Sequence, residues 1–277
     1  MILTKSIKNT HTEFHSDKLD VTATSSLSLL LCDHRLTVIA KNQNGSIIGV
    51  NLYPFLEKEE LENILKTDVF INSPHEGNKL FVFNQNFCLV PGMLFDPENK
   101  STYLHFSAPQ DGQEVFFDGL ENNKTILVGS IDESIFQLFS NYLPNFHISH
   151  GSHLVLEYLL EERPEMLNQE LSIVIEQNQI YIAGFANKEL KLFNRFEVAN
   201  NQDFLKYTFS VLHQLAFDRM HCKITLLGNL EDIGVQEDVL SLYFKNLVVS
   251  TPRTNQNYLI GAEAYKETRN LAAFWTN

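Results

Sequence analysis

Residues 27–39 read LSLLLCDHRLTVI and residues 171–183 read LSIVIEQNQIYIA. Each stretch opens with Leu-Ser, runs through three apolar residues, places four polar ones next (Cys32–Arg35; Glu176–Gln179), and resumes apolar alternation. Alternation at period two marks a strand, so each stretch predicts a strand, a tight polar turn and an antiparallel return. A third strand follows in each case, over 47–53 and 190–196, and completes a meander. The period then changes to 3.6. Leu61, Ile64 and Leu65 share one face of a helix over 57–66, and Phe204, Thr208, Val211, Leu212 and Leu215 share one face of a helix over 201–217. Asn200 or Asn201 can cap the second helix by accepting from its first-turn amides, and Asp203 suits its positive end.

The likeness extends along the chain. Residues 125–130 (TILVGS) match residues 224–229 (ITLLGN) as a buried strand ending at glycine. Ser140, Tyr142, Asn145 and Ser149 recur at a constant spacing as Ser241, Tyr243, Asn246 and Ser250. The order β-β-β-α-β-α-β is thus used twice, which predicts a duplicated α/β protein of two lobes, each a mixed sheet with flanking helices. The first copy is about 45 residues longer, which places an insertion at about 68–120, the expected seat of lobe-specific features. The expected divisions are a polar N-terminal segment over 1–20, a first lobe over 21–165, a second over 166–253 and a tail over 254–277. A helix over 150–162 joins the copies before Pro164, and Pro252 stops the last strand.

A doubled β-β-β-α-β-α-β unit resembles the plan of the actin, sugar-kinase and heat-shock-chaperone superfamily. More closely, the chain resembles the bacterial domain-of-unknown-function family 3822. The likeness is carried by Tyr53-Pro54-Phe55, by Phe87-Cys88-Leu89-Val90-Pro91 with Leu94-Phe95-Asp96, by residues 150–160, and by Phe193-Asn194-Arg195-Phe196 with Asp203-Phe204. It spans about residues 20–250 and implies an actin-like ATPase, ribonuclease-H-like fold. None of these residues forms a catalytic motif, so the likeness implies a fold and not an activity.

Composition bounds the function. Of 277 residues, 44% are hydrophobic and 20% charged, the mix of an ordinary globular chain, and the net charge is −13. A nucleic-acid binder concentrates positive charge to replace phosphate counterions, and anionic lipid repels an acidic surface, so neither partner is expected. Cys32, Cys88 and Cys222 form no disulfide framework and no CxxC, which points to the cytoplasm. The apolar run 27–31 is too short to span a bilayer or to serve as a signal-peptide core.

The resemblance directs attention to the hairpin turns, because actin-like ATPases carry Asp-x-Gly there to admit phosphates and organise a metal. Here the first turn reads Asp33-His34-Arg35 and the second Gln177-Asn178-Gln179 after Glu176, both without glycine. The adenosine end of the fold has a Gly-Gly pair, and this chain has Gly228-Asn229. Two readings follow. The first is a non-catalytic actin-like scaffold that binds a protein partner and needs no cofactor. The alternative is a nucleotide-binding protein or weak ATPase, with Asp33, His34, Arg35, Glu176, Asn178, Gly228 and Asn229 lining an interlobe cleft that holds ATP-Mg. Other chemistry is disfavoured. His147, His150 and His153 straddle a strand end and a helix start with no acid or cysteine to complete a zinc set. Neither a Gly-x-Ser-x-Gly elbow nor a Gly-x-x-x-x-Gly-Lys loop occurs. Of the 21 Phe, Phe116-Phe117, Phe136, Phe139 and Phe146 recur near element edges; most are expected in the core, and those exposed along the insertion or the interlobe cleft are expected to mark a protein-binding patch.

Overall fold

The computed structural model describes residues 11–16, 18–105 and 111–276. The chain divides into two compact units. Unit 1 comprises the residues up to Gly151 together with Asn257–Ala264, and unit 2 comprises Ser152–Gln256 with the residues from Tyr265 onward.

In unit 1 the elements run β1 (Thr12–His15), β2 (Ser26–Cys32), β3 (Arg35–Lys41), β4 (Ile47–Pro54), α1 (Lys58–Thr67), β5 (Asn78–Phe83), β6 (Phe87–Pro91), α2 (Lys100–Tyr103), β7 (Gln113–Leu120), β8 (Thr125–Asp132), α3 (Glu133–Tyr142) and β9 (Phe146–His150). The main sheet has the order β1-β4-β3-β2-β5-β9. β2, β3 and β4 form the antiparallel meander, and β5 and β9 run parallel to β2. Leu27, Leu29 and Leu31, alternate residues of β2, pack with Leu61 and Leu65 of α1 and Phe139 of α3 in one core.

Unit 2 takes in α4 (Gly151–Glu162), then β10 (Gln169–Glu176), β11 (Gln179–Ala186), β12 (Glu189–Glu197), α5 (Asn201–Gln214), β13 (Lys223–Leu227), α6 (Glu237–Ser241) and β14 (Asn246–Ser250). Its sheet order is β12-β11-β10-β13-β14, again an antiparallel meander followed by two parallel strands. Leu171, Ile173 and Ile175 pack with Phe204, Val211 and Leu212 of α5. Asn200 is the residue that caps α5, accepting from the amides of Gln202 and Asp203.

The two sheets agree in register as well as order. Leu27 lies opposite Asn78, which lies opposite Phe146; Leu171 lies opposite Ile224, which lies opposite Leu247. Phe146 and Leu247 therefore correspond at the same spacing that relates Ser149 to Ser250. The TILVGS–ITLLGN match is corrected by this register. Ile224 belongs to β13, and the strand in its place in unit 1 is β5. Residues 125–130 instead belong to β8, the centre of a separate antiparallel sheet of order β6-β8-β7. Between β5 and α3 the chain runs through β6, α2, β7 and β8, whereas the range expected for the insertion, about 68–120, takes in β5 and leaves out β8. The stretch between β5 and α3 has its own small core of Val90, Leu104, Val115, Ile126 and Val128.

The ends of the expected lobes differ too. Thr12–His15, inside the segment expected to be only polar, pairs antiparallel with β4. The helix expected to join the copies belongs with unit 2, because the Tyr158 hydroxyl of α4 accepts from the Arg253 amide and its ring meets Trp275 edge-on, centroids 5.5 Å apart. The C-terminal stretch is not a separate tail. Ile47 donates its amide to Asn257 O (2.8 Å) and accepts from the Leu259 amide (2.9 Å), while Asn255 donates to Phe274 O (2.9 Å). Among the described residues no helix is long and apolar enough to cross a membrane.

Candidate functional site

Both hairpin tips are two-residue turns. In unit 1, Cys32 pairs with Arg35, leaving Asp33 and His34 at the tip, both exposed. In unit 2, Glu176 pairs with Gln179, leaving Gln177 and Asn178. Each tip is tied to the end of its meander in the same way: Phe55 donates its amide to His34 O (3.1 Å), and Val198 donates to Asn178 O (2.8 Å). Gln177 takes the left-handed conformation, φ 57°, that glycine or asparagine adopts more easily in a short hairpin.

Asp33 borders a cavity of about 180 Å3 at the ends of β2 and β5. Its walls are mainly Leu31, Phe55, Leu61, Val82 and Ile131. Small-molecule pockets run to roughly 300–1,000 Å3 and place several polar groups toward the ligand. The other polar lining residue, Asn84, already donates to Ser130 O (2.7 Å) and accepts from the Asn86 amide (2.8 Å).

The unit 2 residues have structural partners. Glu176 is 4% exposed and sits within β10 rather than at the tip. Beside it Gln179, also buried, accepts from Arg195 Nε at 2.5 Å, and the Arg195 guanidinium lies 3.9 Å from Glu197. Gly228 has φ 114°, and a Cβ there would stand 2.6 Å from Ile175 O, so close backbone approach accounts for this glycine. Asn229 caps the turn that follows, accepting from the Glu231 amide (3.2 Å) and donating to Asp232 (3.1 Å).

The three histidines go to separate partners. His147 Nε2 lies 3.0 Å from Asp118 Oδ1, His150 Nε2 lies 3.1 Å from Asn84 Oδ1, and His153 Nδ1 lies 4.0 Å from Glu157. Among the described residues no group of three or more His, Cys, Asp or Glu is placed to hold a metal ion. Ser130 donates to Gln113 Oε1 (3.2 Å). Phe116 is buried in the unit 1 core and Phe117, its neighbour, is 38% exposed.

Reading for catalytic residues passes over a surface feature on the insertion. Met93 is 91% exposed and Leu94 67%, on a 3-10 turn that follows β6. The signal was in the run Gly92-Met93-Leu94-Phe95, apolar residues placed between Pro91 and Asp96-Pro97 where turn chemistry calls for polar ones.

The family model for "Protein of unknown function (DUF3822)" matches residues 15–247, and the chain belongs to that family. A crystal structure from Bacteroides thetaiotaomicron, of a protein with actin-like ATPase fold and unknown function, is similar at a TM-score of 0.73 and 17% identity, covering 89% of this chain and 95% of that one. A chain of the PilM–PilN type IV pilus biogenesis complex is similar at a TM-score of 0.59 and 9% identity, covering 91% and 96%. At such identities the likeness is one of fold, and the fold is the actin-like ATPase fold. No curated protein matches the sequence.

Proposed function

We propose that this chain is a non-catalytic, protein-binding member of the actin-like fold that works in the cytoplasm, its two units being copies of one plan. The make-up of the hairpin tips carries the reading. Asp33-His34 and Gln177-Asn178 present side chains where a phosphate cradle needs bare backbone amides. Glu176 is buried, so Asp33 is the one exposed carboxylate at the two tips, and a magnesium ion gathers several oxygens from its surroundings. These residues do not fit ATP-Mg. A protein of the same fold occurs in the PilM–PilN complex, which supports a role in holding another protein. The acidic, cysteine-poor composition supports the compartment.

Thermal denaturation with millimolar ATP and magnesium tests the reading. The melting temperature stays unchanged, and no phosphate is released. Ligand at a hundred times its dissociation constant stabilises by about 2.7 kcal/mol, so a rise of several degrees that grows with the logarithm of nucleotide concentration would overturn it.

A further inference from the structure

We infer that the Met93-Leu94 turn is the docking surface for a partner protein, through an amphipathic segment whose apolar side chains are flanked by Lys and Arg. The inference rests on the protein-binding reading above and adds the surface and the partner's chemistry.

Among the described residues Met93 and Leu94 are the most exposed large apolar residues between β5 and α3, at 91% and 67%, and Phe117 adds a ring that is 38% exposed. The Phe95 ring connects the strip, its centroid 4.8 Å from that of Phe117 and 5.4 Å from that of Tyr103. Solvent-facing residues of this kind usually sit on loops that can fold them away, but this turn is fixed. The Tyr103 hydroxyl donates to Leu94 O (2.8 Å) and accepts from the Asp96 amide (2.9 Å). Gly92 donates its amide to Lys124 O (2.9 Å). A Cβ on Gly92 would stand 1.8 Å from Asn123 O, so only glycine lets the turn lie against the β7–β8 loop. A surface already held in its binding shape loses little conformational freedom on association. Methionine, flexible and polarizable, suits a surface that accepts more than one apolar shape.

Charge selects the partner. From residue 93 to residue 124 there are six Asp and Glu against two Lys. Asp96 and Glu98 follow the turn directly and are exposed. Lys100 is occupied, its ammonium donating to Val115 O at 2.5 Å. Asp96 and Glu98 give the strip two exposed carboxylates, which complement a basic amphipathic segment and oppose both anionic lipid and a second copy of the chain.

The test uses two synthetic helical peptides of one apolar pattern, one with Lys and one with Glu at the polar positions, titrated calorimetrically into the full chain. The Lys peptide binds, and the Glu peptide does not. Met93→Ser with Leu94→Ser, which leaves net charge unaltered, weakens binding by on the order of tenfold or more. The same pair of changes leaves the melting temperature within a degree or two, because both side chains are solvent-exposed. Leu242→Ser, at an exposed leucine of unit 2, has no effect on binding. Equal binding to wild type and the double variant would mean that net charge alone attracts the peptide and would overturn the assignment, as would absence of Lys-peptide binding. Dimerisation in light scattering, or flotation with zwitterionic vesicles, lost in the double variant would assign the strip to a second copy or a membrane instead. None of these outcomes depends on nucleotide, so failure of the surface is separable from failure of the non-catalytic reading.

Discussion

Asp68 offers the sharpest test of how unit 1 is held together. It ends α1 and is 1% exposed, yet it carries a carboxylate. Oδ1 accepts from the amides of Phe70 (2.9 Å) and Ile71 (2.8 Å), and Oδ2 accepts from Asn51 Nδ2 (2.8 Å) and the Tyr53 hydroxyl (2.7 Å). The group thus joins the middle of β4 to the loop after α1. Burial, and after it the hydrogen bond to Asp68, pushes the Tyr53 phenol far above its ordinary value. Asp68→Ala removes the acceptor for four donors. Three of them, on Phe70, Ile71 and Asn51, belong to buried residues that water does not reach. Asn51 Nδ2 keeps the Tyr53 hydroxyl as an acceptor (3.3 Å), so two buried amides become orphans at about 1–3 kcal/mol each, an expected loss of roughly 2–6 kcal/mol. Asp68→Asn keeps the acceptor for both backbone amides. Asn51 Oδ1 has no partner, and turning the Asn51 amide brings that oxygen to the new Nδ2. The expected loss is then about 1–2 kcal/mol. Urea unfolding followed by far-UV circular dichroism reads the difference; the single tryptophan, Trp275, lies in unit 2 and does not report on this site. Equal midpoints for the Ala and Asn variants, at constant urea dependence, would refute the claim that the carboxylate joins β4 to the loop.

Other outcomes follow from the same coordinates. Gly228→Ala meets Ile175 O at 2.6 Å in a left-handed conformation and should cost about 2–4 kcal/mol in urea unfolding, whereas Gln177→Gly relieves the turn at φ 57° and should be neutral or stabilising by up to ~1 kcal/mol. Burial and neighbouring Lys79 pull the Lys41 ammonium down to about 8. Its folded pKa lies below the unfolded one, so it opposes folding below pH 8, by on the order of 3 kcal/mol, and that opposition fades as pH rises toward 10.5. Lys41→Met should therefore stabilise at pH 7 and converge with wild type near pH 10.5, as read by urea midpoints across that range. Burial pushes the Cys88 thiol up to about 11 and Cys222 up to about 12, and Cys32 is 5% exposed. Ellman's reagent at pH 8 should find no fast-reacting thiol in the native chain and all three after guanidinium denaturation.

The fold was legible because its signals are local. Short polar turns inside apolar alternation appear at 27–39 and 171–183, and the structure places hairpins there, with tips one residue shorter than the expected turns because Arg35 and Gln179 already pair with Cys32 and Glu176. The misassigned strand marks the limit. β5 and β8 are both short apolar runs ending near a polar residue, and period two does not tell which neighbour a buried strand will choose. The glycine that made residues 125–130 look like residues 224–229 has a different cause in each. Gly228 avoids Ile175, while Gly129 lies against Phe116 and His150. Terminal pairing was equally illegible, because β1 is only four residues long and bridges such as Ile47 to Tyr258 join positions far apart in sequence.

Glycine placement connects the tips to the insertion. Glycine is needed wherever something must come close to a backbone, be it a ligand or another part of the chain. At the tips of β2–β3 and β10–β11 the approaching groups are the amides of Phe55 and Val198, which reach the carbonyls of His34 and Asn178 along the strand and tolerate any side chain. At Gly92 the approaching group is Asn123 O, which tolerates none. Of the glycines, Gly92, under the turn that lifts Met93 and Leu94 into solvent, is the one where an added Cβ would come nearest to another backbone atom. Gly92→Ala consequently perturbs the presentation of those two side chains while leaving both hairpin tips and their ties to β4 and β12 in place.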